Sequence, residues 1–295
     1  MAGMPGPRSI RRRPGAARLA AATVLATLIL LAGCTSSGTP ASSPSPATQL
    51  GAAMARWASF PAGAATRPLV VEAGADVSGS YGFTNGAAKI AFVAGAISPP
   101  KSLPDGPSSR AGFPLISAAR AVGVLTAQHA SGATPSTRLA VTKVKLGFGA
   151  FGTDRGQEVL PAWQFTISGI SGRVNVLAVA ASARFWPSGL KQVSTGARAA
   201  QAGRSGRALT LTVQGAQAGT GPCQATYSVR QQSSGHAVAI DVVARQHDSG
   251  QAGCASVGYR VTLPVTLSAP LGNRVLVDAQ TSAPIPVTQP LVSSS

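Results

Sequence analysis

Between Leu139 and Ile167 the chain carries two long alternating runs joined by one turn signal, and no other stretch restricts the fold as much. Leu139 and Val141 share one parity, whereas Val144, Leu146 and Phe148 share the other, which predicts a β-bulge near Thr142-Lys143. Thr153-Asp154-Arg155-Gly156 supplies a turn, with glycine where a positive φ is needed. Val159, Trp163, Phe165 and Ile167 then alternate as an inward face. Upstream, Pro68–Val71 and Ala88–Val93 are short apolar runs bounded by glycines and fit strands. Pro114–His129 reads as a helix capped by Ser117, with Ile116, Ala119, Val122 and Leu125 near one face. Val174–Ala180 is apolar on both faces and fits a buried strand. Strands, a helix, then three strands give an α+β pattern.

A helix followed by a three-strand meander is similar in topology to the PepSY-type module. Beyond it, Ser182–Arg207 is small and polar, with glycines at 189, 196, 203 and 206, and predicts a linker. The rest is strand after strand: Ala208–Val213, Ala225–Arg230, Ala237–Ala244, Ala255–Leu267 and Arg274–Asp278. Ser233-Ser234-Gly235 makes a hairpin turn, and Pro264 assigns its strand to an edge or bulge. The expected fold class is therefore α+β. An N-terminal α+β domain of helix plus antiparallel strands (61–187) and a linker (188–206) precede a small all-β antiparallel domain (207–295).

The first 33 residues hold Arg8, Arg11, Arg12, Arg13 and Arg18 with no acid, then an uncharged run from Leu19 to Ala32. That is a secretory signal layout, short of the roughly 20 apolar residues of a spanning helix. Leu31-Ala32-Gly33-Cys34 resembles a bacterial lipobox. The resemblance implies that the Cys34 thiol receives a diacylglycerol and that cleavage falls between Gly33 and Cys34. Arg11-Arg12-Arg13 invites a twin-arginine reading, but Pro14-Gly15 follows instead of an apolar pair, which favours general secretion. Residues 34–60 begin with an uncharged Ser/Thr/Pro-rich stretch and are expected to form a tether. The predicted address is the outer face of the cytoplasmic membrane, through a lipid anchor.

Without the signal, 20 basic and 8 acidic side chains remain, a net charge of +12. A basic protein at that address suits anionic lipid head groups or acidic wall polymers. A nucleic-acid partner is disfavoured by the address, by the scattered arginines, and by only three Tyr and three Trp for stacking.

Cys223 and Cys254 are the cysteines left after lipidation, and export makes a disulfide the expectation. Cys254 shares parity with the polar side of its strand, which opposes pairing unless it lies in the preceding turn, as Gly253 allows. No CxxC or histidine pair completes a metal site, so no metal and no cofactor are expected. There is no GxSxG, HExxH or phosphate-binding glycine loop. Ser188-Gly189-Leu190-Lys191 matches S-x-x-K but lacks its SDN and KTG partners and lies in the expected linker. His129, His236 and His247 form no dyad: His236 and Asp241 are five apart on one predicted strand and face opposite ways. Hence no catalytic residues are assigned.

Five sets of residues look like those of uncharacterised actinobacterial secreted lipoproteins. They are Thr66–Val70, Ala87–Phe92, Thr153–Gly156 with Leu160–Trp163, Gly221–Cys223 with Tyr227, and Pro270–Asp278. The resemblance implies an exported two-part architecture and no particular chemistry. Arg155 is then expected to bond loop carbonyls, and Trp163 to fill the core. The expected function is a non-catalytic envelope module that binds a protein or acidic wall polymer; the alternative is an envelope hydrolase with an unrecognised site.

Overall fold

The computed structural model describes residues 45–72, 76–127, 134–190, 197–247, 253–254 and 257–288. All of them fall in one compact unit spanning 44–295. The expected signal, Gly33, Cys34, His129 and Lys191 lie outside the described residues. Strand outweighs helix, 45% to 14%, in several small sheets, so the chain is broadly α+β or mainly β.

In chain order the elements are α1 (Pro46–Arg56), β1 (Val77–Ser78), β2 (Tyr81–Phe83), α2 (Gly86–Val93), β3 (Ile97–Ser98), β4 (Ser109–Arg110), β5 (Phe113–Pro114) and α3 (Ala118–Thr126). The hairpin β6 (Leu139–Thr153) and β7 (Gly156–Ile167) follows, then β8 (Ile170–Gly172) and β9 (Val174–Leu177). The remainder is β10 (Ala197–Ala202), β11 (Ala208–Gly215), β12 (Ala225–Ser233), β13 (Ala237–Gln246), β14 (Tyr259–Thr266), β15 (Val275–Asp278) and β16 (Val287–Thr288).

The hairpin forms as its pattern dictates. The β6–β7 register shifts between Val141 and Lys143, and Gly156 closes the turn at φ +87°. Both belong to a five-stranded sheet ordered β1-β9-β7-β6-β3. Trp163, Phe165 and Ile167 bury one face against Ala88, Ala91 and Phe92 of α2 and Ala121, Val122 and Leu125 of α3. Val159, expected on that inward face, is instead 73% exposed. It sits near the turn, away from the residues that bury Trp163, Phe165 and Ile167.

Two expected strands need correction. Ala88–Val93 lies in helix α2: the Asn85 side chain accepts from the Ala88 N–H at 2.8 Å, and Ala88, Ala91 and Phe92 bury one stripe. Pro68–Val71 forms only isolated bridges, Leu69 with Arg184 and Val71 with Thr153. Within the expected helix Pro114–His129, α3 is shorter; Ser117 caps it, and Ala118, Ala121, Val122 and Leu125, not Ala119, are buried.

The chain expected to be spacer over 34–60 is helical from Pro46. Ser45 accepts from the Thr48 N–H, and Pro46 stands at the first turn, where its missing donor costs nothing. Leu50, Ala53, Met54 and Trp57 recur at helical spacing and are buried.

The later strands form a four-stranded sheet, β14-β11-β10-β16, and a three-stranded sheet, β12-β13-β15. They share a core of Leu209, Leu211, Val213, Val238, Ile240 and Leu276. Strand β14 is an edge, as Pro264 requires. Strand β10 falls within the expected linker yet lies between β11 and β16, and it pairs with β16 in parallel. The sheets are therefore not wholly antiparallel, since β13 and β15 are parallel too. Strand β13 is buried on both faces: Val238 and Ile240 enter the core between sheets, while Ala237 and Ala239 lie under α1. Alanine at those positions lets the helix approach closely.

Candidate functional site

Three of the segments that carried the family resemblance meet in space. The turn aspartate Asp154 is 2% exposed, and the Arg67 guanidinium grips both its oxygens. Arg155 Nε lies 3.7 Å from Asp154 Oδ2, while its Nη2 donates to the carbonyls of Gly272 (2.7 Å) and Arg274 (3.0 Å). Arg67 Nε donates to Asn273 O at 2.9 Å, and Arg274 turns back to the carbonyls of Ala269 and Leu271. Burial pushes the Asp154 carboxyl up from its ordinary range, against the pull of Arg67 and Arg155. These contacts tie the 269–274 loop to the hairpin turn, so the cluster serves the fold. Trp163 likewise fills the core and donates to Ile116 O at 2.9 Å.

Cys223 and Cys254 are brought together with Cα atoms 5.5 Å apart, within disulfide range. Neither lies in a strand: Cys254 precedes β14 and Cys223 precedes β12, so strand parity does not govern them. Cys223 adopts φ +63°, a left-handed conformation.

The other polar residues noted in the sequence do not converge. His236 pairs with Phe60 O through Nδ1 at 2.7 Å, and His247 Nε2 with Thr226 Oγ1 at 2.7 Å. Ser188 is exposed. Asp241 is buried, and its Oδ2 has no partner among the described residues. Among those residues no group of three or more His, Cys, Asp or Glu is placed to hold a metal ion, and no helix is long and apolar enough to cross a membrane.

Two surfaces remain, and neither was foreseen. On the sheet face turned from α2 and α3, register sets Ser78, Asn175, Gln164 and Lys145 side by side across β1, β9, β7 and β6. Lys143, Thr166 and Arg173 flank that row, and with Lys145 and Gln164 they line a hollow of about 100 Å³. No ion pair among the described residues engages its three cations. Ser78 Oγ and Asn175 Oδ1 are buried without a hydrogen-bond partner there. Strand β6 is covered by β3 only at Leu139 and Ala140, so its lysines also guard an open edge.

The second surface is a cleft of about 490 Å³ lined by Val71, Glu72, Asp76, Arg184, Phe185 and Trp186. The Glu72 N–H donates to Gly152 O at 3.0 Å. Its carboxylate lies over Gly152, where a Cβ would stand 2.5 Å from Oε2. Burial raises the Glu72 pKa. Arg184 pairs with Asp76.

Comparison with protein-family models, curated proteins and solved structures finds no significant match to this chain.

Proposed function

We propose that this chain is a membrane-anchored extracytoplasmic lipoprotein whose folded part is a non-catalytic binding module for an acidic envelope polymer. Cys34 carries the lipid, and a two-part layout, α+β over 61–187 and strands from β10 onward, belongs to the same reading. The observation that carries it is the polar sheet face. Lys143, Lys145 and Arg173 make no ion pair among the described residues and stand beside the Gln164 amide and the Thr166 hydroxyl. Anions and hydroxyls together satisfy such a face. None of the large exposed apolar residues near this sheet, Phe148 and Val159, shares its parity, so the face offers no wedge for a bilayer. An acidic polymer fits better than lipid.

The test is sedimentation of the exported protein with isolated wall polymer across a salt series. Binding that weakens with salt and is lost in Lys143→Gln/Lys145→Gln/Arg173→Gln supports the module. Equal binding by that triple variant overturns it. The catalytic alternative has one feature in its favour, the partly buried Glu72 in a cleft beside Asp76. Hydrolysis of wall polymer that is abolished by Glu72→Gln would establish it.

A further inference from the structure

The Glu72 cleft is separate from the cationic face and differs from it in sign. The chain outside the signal has 20 basic and 8 acidic side chains, so a cleft of net negative charge stands against the charge of the whole. Arg184 and Asp76, the other charged groups lining the cleft, neutralise each other, which leaves Glu72 to set the net charge at −1. Among the described residues no hydrogen bond or ion pair reaches its carboxylate. Gly152 leaves the space that brings this group in from solvent, and the Glu72 backbone N–H is pinned to Gly152 O. A half-buried carboxylate without a donor carries an uncompensated desolvation cost.

Phe185 and Trp186 form the apolar wall. Their placement is fixed from behind, with Phe185 packed on Trp57 and Phe60 and Trp186 edge-on to Trp57. Trp186 also donates to Leu190 O. Both rings remain partly exposed in the cleft. A carboxylate beside aromatic rings on a rigid backing is the chemistry that holds an alkylammonium group, by charge and by attraction to the ring faces. A single free carboxylate does not suffice for a metal ion. We infer that this cleft binds a small organic cation, an ammonium group with its carbon substituents, held by Glu72 against Trp186 and Phe185.

The probe is tetramethylammonium, followed by ligand-observed NMR on the exported protein at constant ionic strength, with tert-butanol as the neutral isostere. Saturable binding of the cation alone is expected, weakened about tenfold or more in Glu72→Gln and in Trp186→Leu. Binding should also strengthen as pH rises through the Glu72 titration, because only the carboxylate attracts the ligand. Equal binding of tert-butanol, a Glu72→Gln variant that binds like the parent, or a flat pH profile would each overturn the inference. The pH profile uses the unaltered chain and so stands even if a variant fails to fold. The triple variant of the cationic face should bind tetramethylammonium normally, which keeps the two sites' outcomes apart.

Discussion

The Trp57 indole N–H donates to the Ser282 carbonyl at 2.8 Å, joining residues 225 positions apart in a fully buried contact. Trp57 ends α1, and Ser282 follows β15 in a left-handed conformation at φ +59°. The bond thus fixes the N-terminal helix to a turn near the other end of the folded unit. Trp57→Phe keeps most of the apolar contact but orphans that carbonyl, so a loss of about 1–3 kcal/mol is expected. Trp57→Ala should cost about 3–5 kcal/mol. Urea unfolding measures both, and a Trp57→Phe loss near zero would mean the hydrogen bond contributes nothing.

Asp154→Ala leaves Arg67 and Arg155 facing each other without their counter-charge. Breaking a buried pair in this way costs about 3–5 kcal/mol. Arg155→Lys removes the fork that reaches Gly272 and Arg274 while keeping a charge near Asp154, so it should cost about 1–2 kcal/mol. Chemical denaturation that ranks them in the opposite order would place the strength of the cluster in the carbonyl bonds rather than the ion pair.

The disulfide-range pair encloses a sequence separation of 31 residues, for which loop entropy gives about 3–4 kcal/mol. Reduction frees Cys223 from its left-handed conformation and returns about 1–2 kcal/mol. A net loss near 2 kcal/mol is therefore expected, a fall in Tm of roughly 4–8 °C. Two titratable thiols in unreduced exported protein carrying Cys34→Ala would remove the pairing.

Glu72 also gives stability a pH dependence with a definite sign. Its native pKa is raised by burial, so the folded state binds that proton more tightly than the unfolded one. Its contribution is full below the ordinary glutamate range and is lost as pH rises through the raised value. Glu72→Gln should gain on the parent in melting temperature across that window and hold a constant lead above it. A lead that shrinks with pH would reverse the assignment.

The hairpin was legible because its information is local: parity locates the bulge, and glycine locates the turn. Helix α2 was not, because a short apolar run between glycines suits either state, and Asn85 as a cap decides it. Strand β10, Ala-Arg-Ala-Ala-Gln-Ala, has no β-branched residue; β11 and β16 on either side make it a strand. The start of α1 was hidden by its own cap, since Ser45-Pro46 closes a Ser/Pro-rich stretch and also opens the helix. The two surfaces could not be read, for their residues form no motif. The cleft joins Val71, Glu72 and Asp76 to residues of 181–186, and the cationic row is set by cross-strand register.

The position of α1 bears on mechanics. It packs against β13 and β12, with Trp57 locked to Ser282. A pull on the chain before Ser45 is therefore delivered first to the helix, and only after its apolar stripe is peeled from Ala237 and Ala239 does force reach the strands. Helix peeling yields at low load, whereas strands sheared along their length resist. With the proposed anchor at Cys34, α1 would be the first folded element to bear that load.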